Sequence, residues 1–411
     1  MPPFTPRRLL AATGKLLGAF SLAGLIASVQ AAELTPLKFT LDWRFEGPSA
    51  PFLLAAQKGY FAEEGLNVTI DAGNGSAGAV TRVATGAYEI GFADFNALIE
   101  YSANNPQTPI KAVYMVYNNT PAAVFALKSS GIATPADLKG KTLAAPVFDA
   151  GRKAWPAFAR HNGLAMDDVT WKSVDPAIRE TMLARGQVDA ITGFYFTSLL
   201  NLQARGVKAE DIVSLQYPQY GVELYGNAII ASDKLLSEKP ELVKGFLRAF
   251  NKALLETLAD PQAAVAHVLK QDPLTKPELE LSRLQLALQA NVVTDEVREI
   301  GLGAVKAERL QRAIEEAVSA YGLQNVPAAD SLFDATYLPA DADRQLPRST
   351  APGHAPGARQ TESAPWNSSH LRTSAWLTTK AARWPSRTST SRCARTSSWP
   401  WSARLAAASR P

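Results

Sequence analysis

The chain has 411 residues, enough for two or three domains. Hydrophobic residues make up 46% and charged residues 19%, which excludes a generally disordered chain. The formal charge of +4 suggests a nucleic-acid or anionic-membrane partner only until it is located. Residues 345–411 hold ten Lys/Arg against one acid, Glu362, and residues 1–31 hold Arg7, Arg8 and Lys15 with no acid. The body between them, 32–344, carries 29 basic and 37 acidic residues, a net of −8. An acidic body removes the nucleic-acid expectation. It also lacks cysteine, because Cys393 lies in the tail.

Arg7 and Arg8 precede an apolar stretch from Leu9 to Val29, and Val29-Gln30-Ala31 suits cleavage after Ala31. This is the layout of a secretory signal, with a membrane anchor as the alternative. Residues 1–31 are therefore expected to direct export to the periplasm. No later apolar run approaches the roughly 20 residues of a membrane span, so no stable membrane insertion is expected. A body without cysteine needs no disulfide in that oxidising compartment.

Leu37, Phe39, Leu41 and Trp43 alternate with polar residues, which predicts a half-buried strand. Gly47-Pro48-Ser49 breaks the chain, and Ser49 is placed to cap a helix through Lys58. A strand at 66–70 follows, then Gly73-Asn74-Gly75-Ser76 leading into a helix that reaches Thr85, and a strand at 89–93. That alternation predicts a parallel sheet with helices on its faces. Val83-Ala84-Thr85-Gly86-Ala87-Tyr88-Glu89-Ile90 is echoed by Leu183-Ala184-Arg185-Gly186-Gln187-Val188-Asp189-Ala190. The echo reflects either shared local grammar or two lobes of like topology. Crossings between lobes are expected near Asn118-Asn119-Thr120-Pro121 and Tyr217-Pro218-Gln219-Tyr220-Gly221. From Ser232 the pattern is helical, over 240–258, 261–269, 277–290 and 307–321. The expected division is 36–120 plus 221–345 for lobe 1 and 121–220 for lobe 2.

After Pro347 the sequence turns to Ser, Thr, Arg, Ala and Trp without periodicity, and holds five of the eight tryptophans. Such aromatic content does not suit an ordinary disordered tail. From Trp366 the residues admit a neighbouring reading frame that opens with a start codon and ends in a phosphate-binding loop pattern, GxxxxGK[ST]. Residues 348–411 are accordingly expected to be a disordered, non-native read-through. The part from 366 is expected to read a downstream transporter ATPase gene out of frame, so no ATP site is expected in this chain.

The run Leu41-Asp42-Trp43-Arg44-Phe45-Glu46-Gly47-Pro48, followed by Gln57-Lys58-Gly59-Tyr60-Phe61-Ala62-Glu63-Glu64-Gly65-Leu66, resembles periplasmic solute-binding proteins of ABC importers. The branch is the one that takes thiamine-pyrimidine precursors, sulfonates, taurine and nitrate. Gly86-Ala87-Tyr88-Glu89-Ile90-Gly91, Thr134-Pro135-Ala136-Asp137-Leu138-Lys139-Gly140-Lys141, Gly186-Gln187-Val188-Asp189-Ala190 and Tyr225-Gly226-Asn227 match as well. The resemblance covers about 36–345. It implies a two-lobe α/β fold of the type II periplasmic-binding kind, with a ligand cleft between mainly parallel sheets. It also implies a monomer that delivers a small molecule to a membrane permease with a cytoplasmic ATPase. A thiamine-pyrimidine synthase of the same fold is the enzymatic rival. The resemblance implies that such an enzyme needs a lysine for pyridoxal phosphate, a reactive histidine and a cysteine-rich signature. The body offers no cysteine and only His161 and His267, both in helical segments. The expectation is a binder, not an enzyme, without cofactor or metal.

In open α/β sheets ligands bind beyond the carboxyl ends of strands. Trp43 ends the first strand and is either a stacking platform or a core residue. Arg44 and Glu46 beside it are as readily solvated. Asn74 and Ser76 precede a helix and either hold a ligand oxygen or cap the helix. Asp94 and Phe95 follow another strand end. Phe148, Asp149 and Arg152 lie between a strand and a helix, and Phe194 and Tyr195 follow a strand. Asn119, Tyr220 and Tyr225 flank the crossings. This aromatic and amide-rich set favours a planar heterocycle such as a thiamine pyrimidine precursor, then a sulfonate. Arg152 would pair with an acid group or lie on the surface.

Overall fold

The computed structural model describes residues 33–346. The expected signal segment, the tail from 348 and Cys393 lie outside the described residues. No described helix is long and apolar enough to cross a membrane.

Among the described residues ten strands run in chain order as β1 (Thr35–Thr40), β2 (Leu66–Asp71), β3 (Ile90–Asp94), β4 (Ile110–Met115), β5 (Ala122–Leu127), β6 (Lys141–Ala145), β7 (Val169–Ser173), β8 (Ala190–Phe194), β9 (Ile212–Gln216) and β10 (Asn227–Ser232). They form two five-stranded sheets, β2-β1-β3-β10-β4 and β7-β6-β8-β5-β9, each flanked by helices. The two orders are identical once β10 is matched to β5. The sheets are mainly parallel, as expected, with one antiparallel strand each: β10 runs antiparallel to β3 and β4, and β5 antiparallel to β8 and β9. The reason is the path of the chain. Each of these strands is the first laid down after a crossing, so it enters its sheet from the end at which the others finish.

The crossings, 116–121 and 217–226, run side by side. Thr120 N donates to Leu224 O at 3.0 Å and Gly226 N to Tyr117 O at 2.9 Å. The echoed sequences occupy matching positions. Gly86 and Gly186 both turn with positive φ, 72° and 65°. Glu89 then accepts from Lys38 N at 2.7 Å, in the second half of β1. Asp189 accepts from Thr142 N, also at 2.7 Å, at the start of β6. The echo is thus the same strand entry built twice.

The first lobe is held by aromatic packing. Phe39 on β1 stacks on Phe52 at 4.8 Å, and Phe52 stacks on Phe250 at 4.4 Å. This ties the sheet to the helices Ala50–Gln57 and Pro240–Ala259, each pair adding about 0.5–1.5 kcal/mol beyond burial. Ser49 does not cap its helix: a 3-10 turn over Gly47–Ser49 comes first, and the Ser49 hydroxyl donates to Glu46 O at 2.7 Å. The helix expected over 277–290 is α-helical at Pro277–Ala287 and widens into a π turn at Leu288–Val292. The helix Ala307–Tyr321 leans on both lobes, with Glu316 2.8 Å from His161 Nε2.

Candidate functional site

The cleft lies where the strand ends of both sheets face each other. It encloses about 560 Å³ of empty space including its open mouth. Aromatic rings from both lobes form one wall. Tyr117 meets Phe92 edge-on at 5.4 Å, Phe194 at 6.4 Å and Phe196 at 5.9 Å. The loop after β1 supplies Asp42, Trp43, Arg44, Glu46 and Ser49, while the second lobe supplies Asp149, Arg179 and Thr197.

The polar side is rich in buried carboxylates. Asp42 Oδ2 accepts from Asn227 Nδ2 at 2.7 Å and from the Ser76 hydroxyl at 3.4 Å. Burial pushes its carboxyl up to about 7 against these bonds. Behind the lining, at the end of β3, Asp94 is likewise pushed up to about 7 by burial. Burial raises Glu46 against the pull of Arg283, and raises Asp149 against that of Arg179. Arg179, 1% exposed, bonds Asp149 at 2.8 Å and Glu180 at 2.7 Å. Burial opposes its charge, but Glu180 and Asp149 outweigh that and hold the guanidinium protonated. Its charge is therefore already matched by two acids.

Several contacts cross the cleft. Trp43 of the first lobe lies over the Arg179 guanidinium at 5.1 Å, a cation–π contact worth about 1 kcal/mol or more when desolvated. The half-buried Trp43 has its Nε1 enclosed without a partner among the described residues. Thr197 donates to Glu46 at 2.8 Å, and Lys153 pairs with Glu100 at 2.9 Å. Gly75, at φ 147°, lies so close to the Phe148 backbone that a Cβ there would come within 2.2 Å of its carbonyl oxygen. Only glycine permits this approach of the lobes.

Of the thirteen residues singled out in the sequence, Trp43, Ser76, Asp149 and Phe194 line the cleft. The other nine are placed elsewhere. Asn74 is exposed beside the helix Ser76–Ala84. Asp94 caps the helix Phe95–Asn104 through Asn96 N at 3.0 Å, and Phe95 is buried in the core. Phe148 is 44% exposed and is not in the lining, and Tyr195 packs on Phe125. Arg152 reaches Ser173 at 3.0 Å and covers the Trp171 ring, away from the lining. Tyr220 packs on Phe158. Asn119 and Tyr225 belong to a hinge network. Tyr225 is fully buried, donates to Glu296 at 2.6 Å and lies under Arg309 at 4.2 Å; Arg309 in turn donates to Asn119 Oδ1 at 3.0 Å. Sequence reasoning missed Arg179, Tyr117, Phe92, Phe196 and Thr197. Only Arg179 left a trace, as a cation opening the helix Arg179–Ala184 after a strand end.

A model of the NMT1/THI5-like family matches residues 47–264. The riboflavin-binding protein of Chloroflexus aurantiacus is 28% identical over 288 residues, covering 68% of this chain and 78% of that protein. The 4-amino-5-hydroxymethyl-2-methylpyrimidine phosphate synthase of Aspergillus parasiticus is 27% identical over 247 residues, 58% of this chain and 71% of that enzyme. Among solved structures, the alkanesulfonate-binding protein of Xanthomonas axonopodis superposes with a TM-score of 0.57 at 16% identity, over 72% of this chain and 96% of that one. That likeness establishes the periplasmic-binding fold. With more than half of its length matched, the chain belongs to the NMT1/THI5-like family.

Proposed function

We propose that this protein is the solute-binding component of an ABC importer, exported to the periplasm, where its lobes close on a small planar organic molecule and present it to a membrane permease. The observation that carries this reading is the cleft itself. Rings from both lobes meet over buried carboxylates, and the lobes touch through Trp43, Thr197 and Gly75. A ligand that bridges both lobes favours the closed state, which is the physical basis of capture.

The lining also bears on ligand class. Faces suit a flat ring, and acids suit its N–H donors. A thiamine pyrimidine precursor is the preferred ligand, ahead of a sulfonate or nitrate, because Arg179 is already neutralised by Asp149 and Glu180. The synthase among the relatives favours a second reading, catalysis. That reading has less support from the lining, which contains no lysine or histidine.

A thermal-shift and calorimetric panel tests the proposal: 4-amino-5-hydroxymethyl-2-methylpyrimidine, riboflavin, alkanesulfonates and nitrate. The expected result is saturable one-to-one binding of the pyrimidine without turnover. Tight binding of nitrate alone would overturn the ligand class. Formation of a pyrimidine phosphate from added pyridoxal phosphate would favour the enzyme.

A further inference from the structure

We propose that Glu46 and Arg283 of the first lobe and Thr197 and Asn201 of the second form a clasp that favours the shut cleft through protein contacts alone, and so raises affinity for every captured solute without choosing among solutes. The inference rests on the reading of the cleft as the capture site. It adds Arg283 and Asn201, which lie outside the lining, as positioning residues.

The first-lobe half is held rigidly. Arg283, 1% exposed, lies on the helix Pro277–Ala287 and donates to Glu280 one turn before it. Its Nε stands 3.3 Å from Glu46 Oε2, an ion pair without hydrogen-bond alignment. Glu280 also accepts from Gly47 N at 2.6 Å. A Cβ on Gly47 would come within 2.1 Å of the Glu280 carbonyl oxygen, so glycine is what lets the loop after β1 press on this helix.

The second-lobe half is one helix face. Thr197 and Asn201 are four residues apart on the helix Tyr195–Ala204 and project to the same side. Thr197 donates to Glu46 Oε2 at 2.8 Å, and Asn201 Oδ1 accepts from Arg283 Nη2 at 2.7 Å. Each bond joins the lobes and has one charged partner, which makes it the stronger kind. Glu46 and Arg283 are already fixed within their own lobe, so little freedom is lost when the bonds form. An ion pair elsewhere between the lobes, Lys153 with Glu100, keeps 30% and 29% of its side chains exposed and is screened by water. Opening the cleft returns the clasp groups to water, so the clasp biases the equilibrium and does not lock it. Apparent affinity scales with the share of protein in the binding-competent state, so this bias multiplies affinity for all solutes by one factor.

The test compares the full chain with its Asn201→Ala and Thr197→Val variants, folding being checked by circular dichroism. Nitroxide labels on Glu210→Cys of the second lobe and Glu241→Cys of the first, with Cys393→Ser in every protein, read the lobe distance without solute. The ligand-free wild type is expected to show a minor population at the distance of this structure, and both variants to lose it about tenfold. No such population in the wild type, or an equal one in all three proteins, overturns the clasp. Calorimetric titration with 4-amino-5-hydroxymethyl-2-methylpyrimidine and with riboflavin is expected to weaken about tenfold in Asn201→Ala, by the same factor for each probe that binds. Unchanged affinity, or factors that differ between the probes, overturns the positioning role of Asn201 and leaves solute capture standing. If Thr197→Val misfolds, Asn201→Ala, at a half-buried position, decides alone. If no solute of the wider panel binds while the ligand-free populations still differ, the capture reading falls and the clasp stands.

Discussion

Arg179 and Arg309 are both enclosed arginines with an aromatic ring over the guanidinium and acids at its edge, but they sit in opposite kinds of surroundings. At the hinge, Arg309 meets Glu296 at 3.2 Å, the Asn118 carbonyl at 2.8 Å and the Asn119 amide, and Tyr225 closes the ring of bonds. Burial alone would raise Glu296, but bonds from Tyr225 and Asn118, with the charge of Arg309, hold it below the usual carboxylate range. At the cleft, carboxylates outnumber cations, and burial lifts Asp42 to about 7. The hinge network is satisfied internally. The cleft instead gathers carboxylates raised by burial, and Trp43 Nε1 is enclosed there without a partner among the described residues. Groups kept at a cost to stability are what a binding site requires.

The sharpest way to break the comparison is to remove its cations. Arg179→Met strands Asp149 and Glu180 in the interior and should cost about 3–5 kcal/mol in urea unfolding. A loss below about 1 kcal/mol would mean the acids are not buried charges. Next, Tyr225→Phe removes one bond to a charged partner, which should cost roughly 1.5–3 kcal/mol with ligand affinity unchanged. A loss of affinity larger than the loss of stability would move Tyr225 back into the site.

Asp42→Asn should act in the opposite sense. The folded carboxyl keeps its proton to about pH 7, the unfolded one only to its ordinary 3.8. Between those values the folded state binds more protons, so stability falls as pH rises, and the full penalty stands above pH 7. The variant should therefore be more stable than wild type by roughly 1–3 kcal/mol at pH 8 and nearly equal at pH 4. Equal stability at both pH values would remove the strained acid from the account. The smallest stability change is expected for Trp43→Ala, about 1–2 kcal/mol, because Trp43 is only half-buried. Ligand affinity in that variant should nevertheless fall about tenfold or more by titration.

The fold was legible where burial has a period. Leu37 and Phe39 alternate in β1, and the apolar stripe of Ala307–Tyr321 ends at the glycine stop Gly322. The edge strands β7 and β9 were not legible, since each buries a single residue, Val169 and Leu215, and leaves no pattern to read. The antiparallel β5 and β10 were hidden for another reason: direction depends on where the crossing enters, not on local residues. The candidate site shows the same limit. Trp43, Ser76, Asp149 and Phe194 stand at strand or helix ends and follow from topology. Tyr225 and Asn119 flank a crossing in sequence, but their hydrogen-bond partners come from 290–309, about 70 to 190 residues on. Arg179 becomes a cleft residue only when Trp43 of the other lobe is laid across it.

Closure is the central claim, and solution X-ray scattering reads it directly. At saturating 4-amino-5-hydroxymethyl-2-methylpyrimidine the wild-type radius of gyration should shrink as the lobes meet. Gly75→Ala, whose added methyl collides with Phe148, should bind more weakly and contract less. A wild-type radius unchanged by bound ligand, or full contraction of Gly75→Ala, would contradict capture by lobe closure.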